Sequence, residues 1–151
     1  MNNQIKSQIV MFIIMTTFGI TLNPMNILAN SIDDIYLSFT LVYGGMLMAF
    51  NMVWAHEIHH FIMMGHLNIL TFLIGIISSL MMIFILRKQM LVDDIEWTKR
   101  MISHHSTAIT TTQMLLKDKK NLSNPKVYRL AKDIIYNQQK EILFMKSLLT
   151  D

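Results

Sequence analysis

The chain has 151 residues, no cysteine, 15 methionines and a formal charge of +3. Only 15% of it is charged and 52% is hydrophobic, against about 25% charged in an ordinary soluble domain, which argues against a soluble globular enzyme. The missing cysteines exclude disulfides, thiolate zinc sites and a cysteine nucleophile, and so mild a positive balance gives no reason to expect a nucleic-acid partner.

Charge is distributed unevenly. Residues 1–92 carry Lys6, Asp33, Asp34, Glu57, Arg87 and Lys88 as their only charged side chains, and residues 93–151 carry all the others. Between the early charges lie three uncharged stretches, Ser7–Ile32, Ile35–Ala55 and Leu67–Leu86. About 20 helical residues span the roughly 30 Å hydrocarbon core of a bilayer. The chain therefore divides into a transmembrane region, 1–92, with helices at about 7–29, 35–55 and 67–86, and a C-terminal module, 93–151. Tyr36 and Trp54 sit near the ends of the second helix as interfacial aromatics, and Arg87-Lys88 anchors the third. The first is interrupted by Asn23-Pro24. It also resembles a secretory signal in its Lys6 followed by an apolar run, but no good small-x-small cleavage site follows, so it reads as an uncleaved helix. The expected location is integral to a cell or inner membrane. Three spans put the C-terminal module in the cytoplasm by the positive-inside rule, and a cleaved first segment puts it outside; the sequence leaves the side open.

In the C-terminal module Asp93 or Asp94 caps a helix to about Lys117. A polar stretch, Asp118–Asn124, follows, and Asn124-Pro125 supplies a cap and a first-turn proline for a second helix ending near Leu149. No helix breaker lies between Arg87 and Asp93, so the third membrane helix is free to continue into this hairpin. At 100° per residue Trp97, Met101, His104, Ala108 and Leu115 share a stripe, with Ile102, His105 and Ile109 beside it. Leu130, Ile134, Gln138, Glu141, Ile142, Met145 and Leu148 form the stripe of the second helix. Pairing the helices antiparallel about the loop sets His104 and His105 level with Gln138, and Met101 level with Glu141, with Met145 about a turn away. Polar groups on apolar faces need partners. These could satisfy one another and fix the hairpin's register, or they could hold a metal between facing helices. Imidazole suits zinc, copper and iron, and thioether sulfur favours Cu(I). The Glu-x-x-His pattern of di-iron carboxylate proteins is absent, because the residue three after Glu141 is Phe144.

A second cluster lies at the membrane edge. Met48, Met52, His56 and His60 recur every four residues, and His59, Met63, Met64 and His66 fill the same region. His56-Glu57-Ile58-His59-His60 satisfies H-E-x-x-H, in which two His hold zinc and the Glu is general base. No third ligand or substrate cleft is evident. The segment reads either as a polar turn between two membrane helices or as a metal-capture cluster of Met52, His56, His59, His60, Met63 and His66. Methionine also packs well in apolar cores, and Met11, Met15, Met81 and Met82 are expected to pack or face lipid.

Two C-terminal stretches carry a family resemblance. Residues 86–116, LRKQMLVDDIEWTKRMISHHSTAITTTQMLL, and 125–149, PKVYRLAKDIIYNQQKEILFMKSLL, resemble the domain of unknown function 305 family. Its pattern has an acidic start (Asp93-Asp94), Met-Ile-x-His-His-x-x-Ala (Met101 to Ala108), Leu-Ala (Leu130-Ala131) and Ile-Ile-x-x-Gln-x-x-Glu-Ile-x-x-Met (Ile134 to Met145). Tyr43 to Met52, YGGMLMAFNM, resembles the Tyr- and Met-rich helix of a membrane-anchored subgroup with three apolar helices before one hairpin. The resemblance implies a ferritin-like helical fold. It also implies copper or silver binding through Met and His, as associated with some members. Carried over by position, the implied metal residues are Met101, His104, His105 and Met145, with Gln138 and Glu141 as ligands or their supports. The residue before the His pair is commonly Pro in the family and is Ser103 here, so that turn should be regularly helical. The His56–His60 cluster is not part of the pattern, and many soluble members carry two hairpins where this chain has one.

The expected architecture is thus all-α: three transmembrane helices followed by an antiparallel helical hairpin, a ferritin-like half-bundle. The expected role is a non-enzymatic membrane protein that binds a soft metal, a copper ion first, in homeostasis or resistance. Two helices alone bury too little core, so the hairpin should pack on the membrane helices or form a homodimer or other oligomer. The competing readings are a structural or interaction protein with a register-fixing polar layer, and a membrane zinc hydrolase using His56, Glu57 and His60.

Overall fold

The computed structural model describes residues 3–117 and 124–150, and all regular structure among them is helical. In chain order the elements are α1 (Asn3–Thr21), the single turn α2 (Pro24–Ile27), a 3-10 turn (Ile32–Asp34), α3 (Phe39–Met64), α4 (Ile69–Lys88), α5 (Asp94–Lys117) and α6 (Pro125–Leu148). They fall into two compact units, Met1–Leu22 with Phe39–Val92, and Asn23–Ser38 with Asp93–Asp151. The change at residue 92/93 coincides with the step in charge. Segment 23–38 groups with the C-terminal helices, although it precedes α3 in the chain.

The first unit packs α3 against both α1 and α4. Glycines set how closely the backbones approach. A methyl added at Gly45 would lie 2.8 Å from Ile20 Cγ1 and 2.9 Å from the Thr16 carbonyl oxygen. One added at Gly75 would lie 3.0 Å from Trp54 Cβ. Small residues at such crossings let helices associate through van der Waals contact where apolar burial gives little driving force.

Two segments, Lys6–Ile27 and Ile69–Lys88, are long and apolar enough to cross a membrane. This corrects the expectation of three spans. The expected span 35–55 fails on composition, not length: α3 is 26 residues long, but Tyr43, Gly44, Gly45, Asn51 and Trp54 dilute the apolar content of the expected stretch. α3 also runs on to Met64. The His56–His60 segment is therefore helical, not the polar turn that was one reading of it. Gly65, at φ +70°, ends the helix with its N–H on the Phe61 carbonyl at 2.9 Å.

α4 does not continue into the hairpin. It stops at Gln89, which adopts the left-handed conformation at φ 48°, and Leu91 follows at φ 60°. Left-handed residues other than glycine are uncommon, and here side chains hold the turn. Gln89 Nε2 donates to the Leu86 carbonyl at 2.6 Å, and Tyr43 Oη donates to the Met90 carbonyl at 3.1 Å. A glycine-free turn of this kind leaves no mark in the sequence.

The second unit is the α5/α6 pair together with segment 23–38. The expected caps are present. Asp93 Oδ1 accepts from the Glu96 N–H at 2.8 Å, and Asn124 Oδ1 accepts from the Lys126 N–H at 2.9 Å, with Pro125 in the first turn. The polar stretch 118–123 lies outside the described residues. Ile102, Ile109, Ile142 and Met145 form the buried core, with Tyr36, Met101 and Leu149 packed against it. Each fully buried side chain of this size contributes about 1.5–3 kcal/mol. Tyr36 belongs to segment 23–38, so that segment adds apolar surface to a pair of helices that would otherwise be short of it.

Candidate functional site

A buried carboxylate fastens segment 23–38 to the helices. Asp34 is 5% exposed. Its Oδ1 pairs with Lys146 Nζ on α6 at 2.6 Å, and its Oδ2 accepts from Ser106 Oγ on α5 at 2.6 Å. Its backbone carbonyl accepts from Ser103 Oγ at 2.8 Å, and Ser103 Oγ in turn accepts from the Tyr36 N–H at 3.3 Å. Ser106 Oγ accepts from the Asn30 N–H at 2.7 Å, and Thr107 Oγ1 donates to the Met25 carbonyl at 2.9 Å. Ser103, Ser106 and Thr107 thus supply the hydrogen bonds that an irregular segment cannot make for itself. α5 is unbroken through Ser103, as expected from the absence of proline there.

The same turn of α5 carries the histidine pair on its other faces. His105 Nδ1 bonds to the Met101 carbonyl at 2.8 Å, and His105 Nε2 lies 2.7 Å from Glu141 Oε2 on α6. A carbonyl oxygen only accepts, so Nδ1 is the donor of the first contact and Nε2 is the atom that faces the Glu141 carboxyl group. The cross-helix partner is one turn beyond the level expected from residue counting, which placed the histidines beside Gln138. Side chains on a helix lean toward its own N-terminus. In an antiparallel pair two such side chains lean toward each other, so partners about a turn apart in level meet.

His104 is exposed, and its ring lies 5.9 Å from that of His105 in an edge-on arrangement. Its pKa is lowered from the ordinary histidine value, first by partial desolvation and then by the positive charges of His105 and Arg100. The Arg100 guanidinium is also lowered, by burial. At neutral pH His104 is therefore the uncharged, metal-competent imidazole of the pair. Met101 is half-buried, one turn before it. Gln138 Oε1 is buried without a hydrogen-bond partner, and Glu141 is exposed apart from its bond to His105. Met145 lies in the apolar core at 6% exposure. Of the expected layer, the structure brings His105 and Glu141 into direct contact, leaves His104 open, and gives Met145 a packing role.

In the first unit the H-E-x-x-H motif folds in an unexpected way. Glu57 is fully buried. Its Oε1 accepts a short bond from Gln8 Nε2 on α1, and its Oε2 accepts from the Asn68 N–H at 3.2 Å, at the start of α4. The carboxylate that a hydrolase would need as general base instead joins three helices. His60 Nδ1 donates to the His66 carbonyl at 2.9 Å. The rings of His56, His60 and His66 stand in file at 6.4 Å and 6.2 Å. His59 and Met63 are exposed, whereas Met52, one turn before His56, is half-buried. Among the described residues no three His, Asp or Glu side chains converge as a metal site.

Sequence reasoning did not find the Asp34–Lys146 clasp. Its available signal was Asp34 in an otherwise uncharged region and small hydroxyl residues at 103, 106 and 107 spaced along one side of α5.

These observations define an all-helical protein whose C-terminal helix pair presents His and Met residues from adjacent turns. Residues 94–151 match the family described as domain of unknown function (DUF305). The chain is 33% identical to an uncharacterized protein of Acanthamoeba polyphaga mimivirus, over 100% of this chain and 95% of that protein. The chain belongs to the domain of unknown function 305 family. No solved structure matches it.

Proposed function

We propose that this is an integral membrane protein whose C-terminal helix pair binds a soft transition metal, copper or silver first, in metal homeostasis or resistance, without catalysing a reaction. Membrane insertion is supported by the outward faces of the two apolar segments. Leu70, Ile74, Ile77 and Leu80 on α4 and Ile13 and Phe18 on α1 are each more than half exposed. So large an apolar surface is unfavourable in water and suits lipid.

The observation that carries the metal reading is the uncharged, exposed His104 beside His105 and one turn from Met101. An imidazole and a thioether suit Cu(I) and Ag(I). Gln138 Oε1, about one turn from Glu141 on α6, is a further polar group that the fold alone leaves unsatisfied. His104 and Met101 would hold the ion directly. His105 would join by releasing Glu141, and because a ligating imidazole must be unprotonated, uptake weakens on acidification. The test is a Cu(I) competition titration of the detergent-solubilised protein against a chromogenic chelator, beside the His104→Ala/His105→Ala variant. The proposal requires tight binding that the variant loses.

A second reading is favoured by one contact. His105 uses both ring nitrogens within the helix pair, as a register-fixing residue would. On that reading the same variant loses stability and the wild type binds no metal.

A further inference from the structure

A small cavity lies between α1 and α3, lined by Ser7, Gln8, Met11, Met52, Val53 and His56. It leaves about 10 Å³ of free space, room for a single water-sized particle and nothing larger. His56 Nδ1 is buried and has no hydrogen-bond partner. An unsatisfied ring nitrogen in such a place costs about 1–3 kcal/mol, and the two thioethers beside it are too weak as hydrogen-bonding groups to relieve that cost.

We propose that Met11, Met52 and His56 form a site for one soft monovalent cation, Cu(I) or Ag(I), bound by two thioether sulfurs and the His56 Nδ1 lone pair. Met52 and His56 are one turn apart on α3, so their side chains reach the same side of the helix. Met11 closes the set from α1. The donor set is soft and uncharged, which selects Cu(I) or Ag(I) over zinc, magnesium or calcium. Gln8, which also lines the cavity, donates from Nε2 to the fully buried Glu57, the next residue after His56 along α3.

The His56, His60 and His66 rings follow one another at 6.4 Å and 6.2 Å, and His60 Nδ1 donates to the His66 carbonyl. The site is separate from the hairpin residues and does not depend on their binding metal.

The test uses full-length protein in detergent carrying His104→Ala and His105→Ala, which silences the hairpin. Cu(I) is titrated against a chelator, and the bound ion's neighbours are read by X-ray absorption. The proposal expects one tightly held equivalent with sulfur and nitrogen neighbours. Met11→Leu and Met52→Leu preserve side-chain volume and should each lower affinity by about 100-fold or more, with helicity and melting unchanged. His59→Ala, at an exposed position outside the cavity, should leave affinity as it was. No tight binding in the hairpin-silenced protein would overturn the proposal and make the cavity a water site, as would affinity insensitive to both Met→Leu changes. Because wild type and hairpin-silenced protein are titrated side by side, failure of this site and failure of the hairpin site give different results.

Discussion

Removing the Asp34 carboxylate should release segment 23–38 and loosen both helices of the second unit. Asp34→Ala strands Lys146, whose side chain is 29% exposed, and deprives Ser106 Oγ of its acceptor. Breaking a buried ion pair from one side costs about 3–5 kcal/mol. Lys146 keeps partial access to water, which lowers the expected loss to about 2–3 kcal/mol. At 1.4 kcal/mol per factor of ten this is roughly a 30- to 150-fold loss of protection against amide hydrogen exchange. The effect should appear on both sides of the pair, around Ser103–Ser106 in α5 and Ile142–Lys146 in α6, and should spare α1, α3 and α4. Lys146→Ala should cost at least as much, because the Asp34 side chain it strands is only 6% exposed and lacks that access to water. The double variant should lose less than the sum of the two, since contacting charges couple by about 0.5–3 kcal/mol. Strict additivity, or unchanged exchange in Asp34→Ala, would refute the clasp.

Other outcomes follow from the same structure. The neighbouring glycines of α3 should respond with opposite signs in detergent melting curves: Gly45→Ala forces a methyl against Ile20 and the Thr16 carbonyl and costs about 1–3 kcal/mol, whereas Gly44→Ala meets nothing within 4 Å and gains up to about 1 kcal/mol of helix propensity. Glu57→Ala leaves the Gln8 amide and the Asn68 N–H without their acceptor and should destabilise the first unit by about 2–4 kcal/mol, seen as a lower Tm. For His104 the folded pKa lies below the unfolded one, so the unfolded chain binds protons more readily as pH falls. Stability should therefore decline as pH falls through the ordinary histidine value of about 6.5, and melting of His104→Gln followed from pH 8 to 5 should show a shallower decline than wild type.

The elements and their caps were legible because each rests on local chemistry. Asp93, Asn124 and Pro125 mark helix starts by what their own atoms do, and the step in charge at residue 92 marks the change of unit. Leu67–Leu86 read as a span because no charge interrupts it and its Leu, Ile, Met and Phe residues far outweigh Asn68, Thr71, Ser78 and Ser79. The stretch 35–55 misled because absence of charge is not apolarity: Asn51, the glycine pair and the ring-polar residues count against it only when weighed one by one. The stop at Gln89 was invisible, since it depends on Tyr43 and Gln89 side chains meeting backbone carbonyls rather than on glycine or proline. At the candidate site the histidines and Glu141 were legible as polar residues on apolar faces. Residue counting set the histidines level with Gln138, one turn from Glu141, because it ignores the lean of side chains; a His–Glu pair was itself one reading of that layer. The Asp34–Lys146 pair escaped notice because the two residues are distant in sequence and only the fold brings them together.

The function proposed for this helical protein is to hold a soft metal at methionine and histidine. The most direct test counts tightly bound Cu(I) per chain in four forms: wild type, the hairpin variant His104→Ala/His105→Ala, the cavity variant Met11→Leu/Met52→Leu, and the two combined. The account requires that wild type bind the ion, that each variant bind less, and that the combined protein bind none while retaining its helical content. Folded wild type that binds no Cu(I), or four proteins that bind it equally, would contradict it.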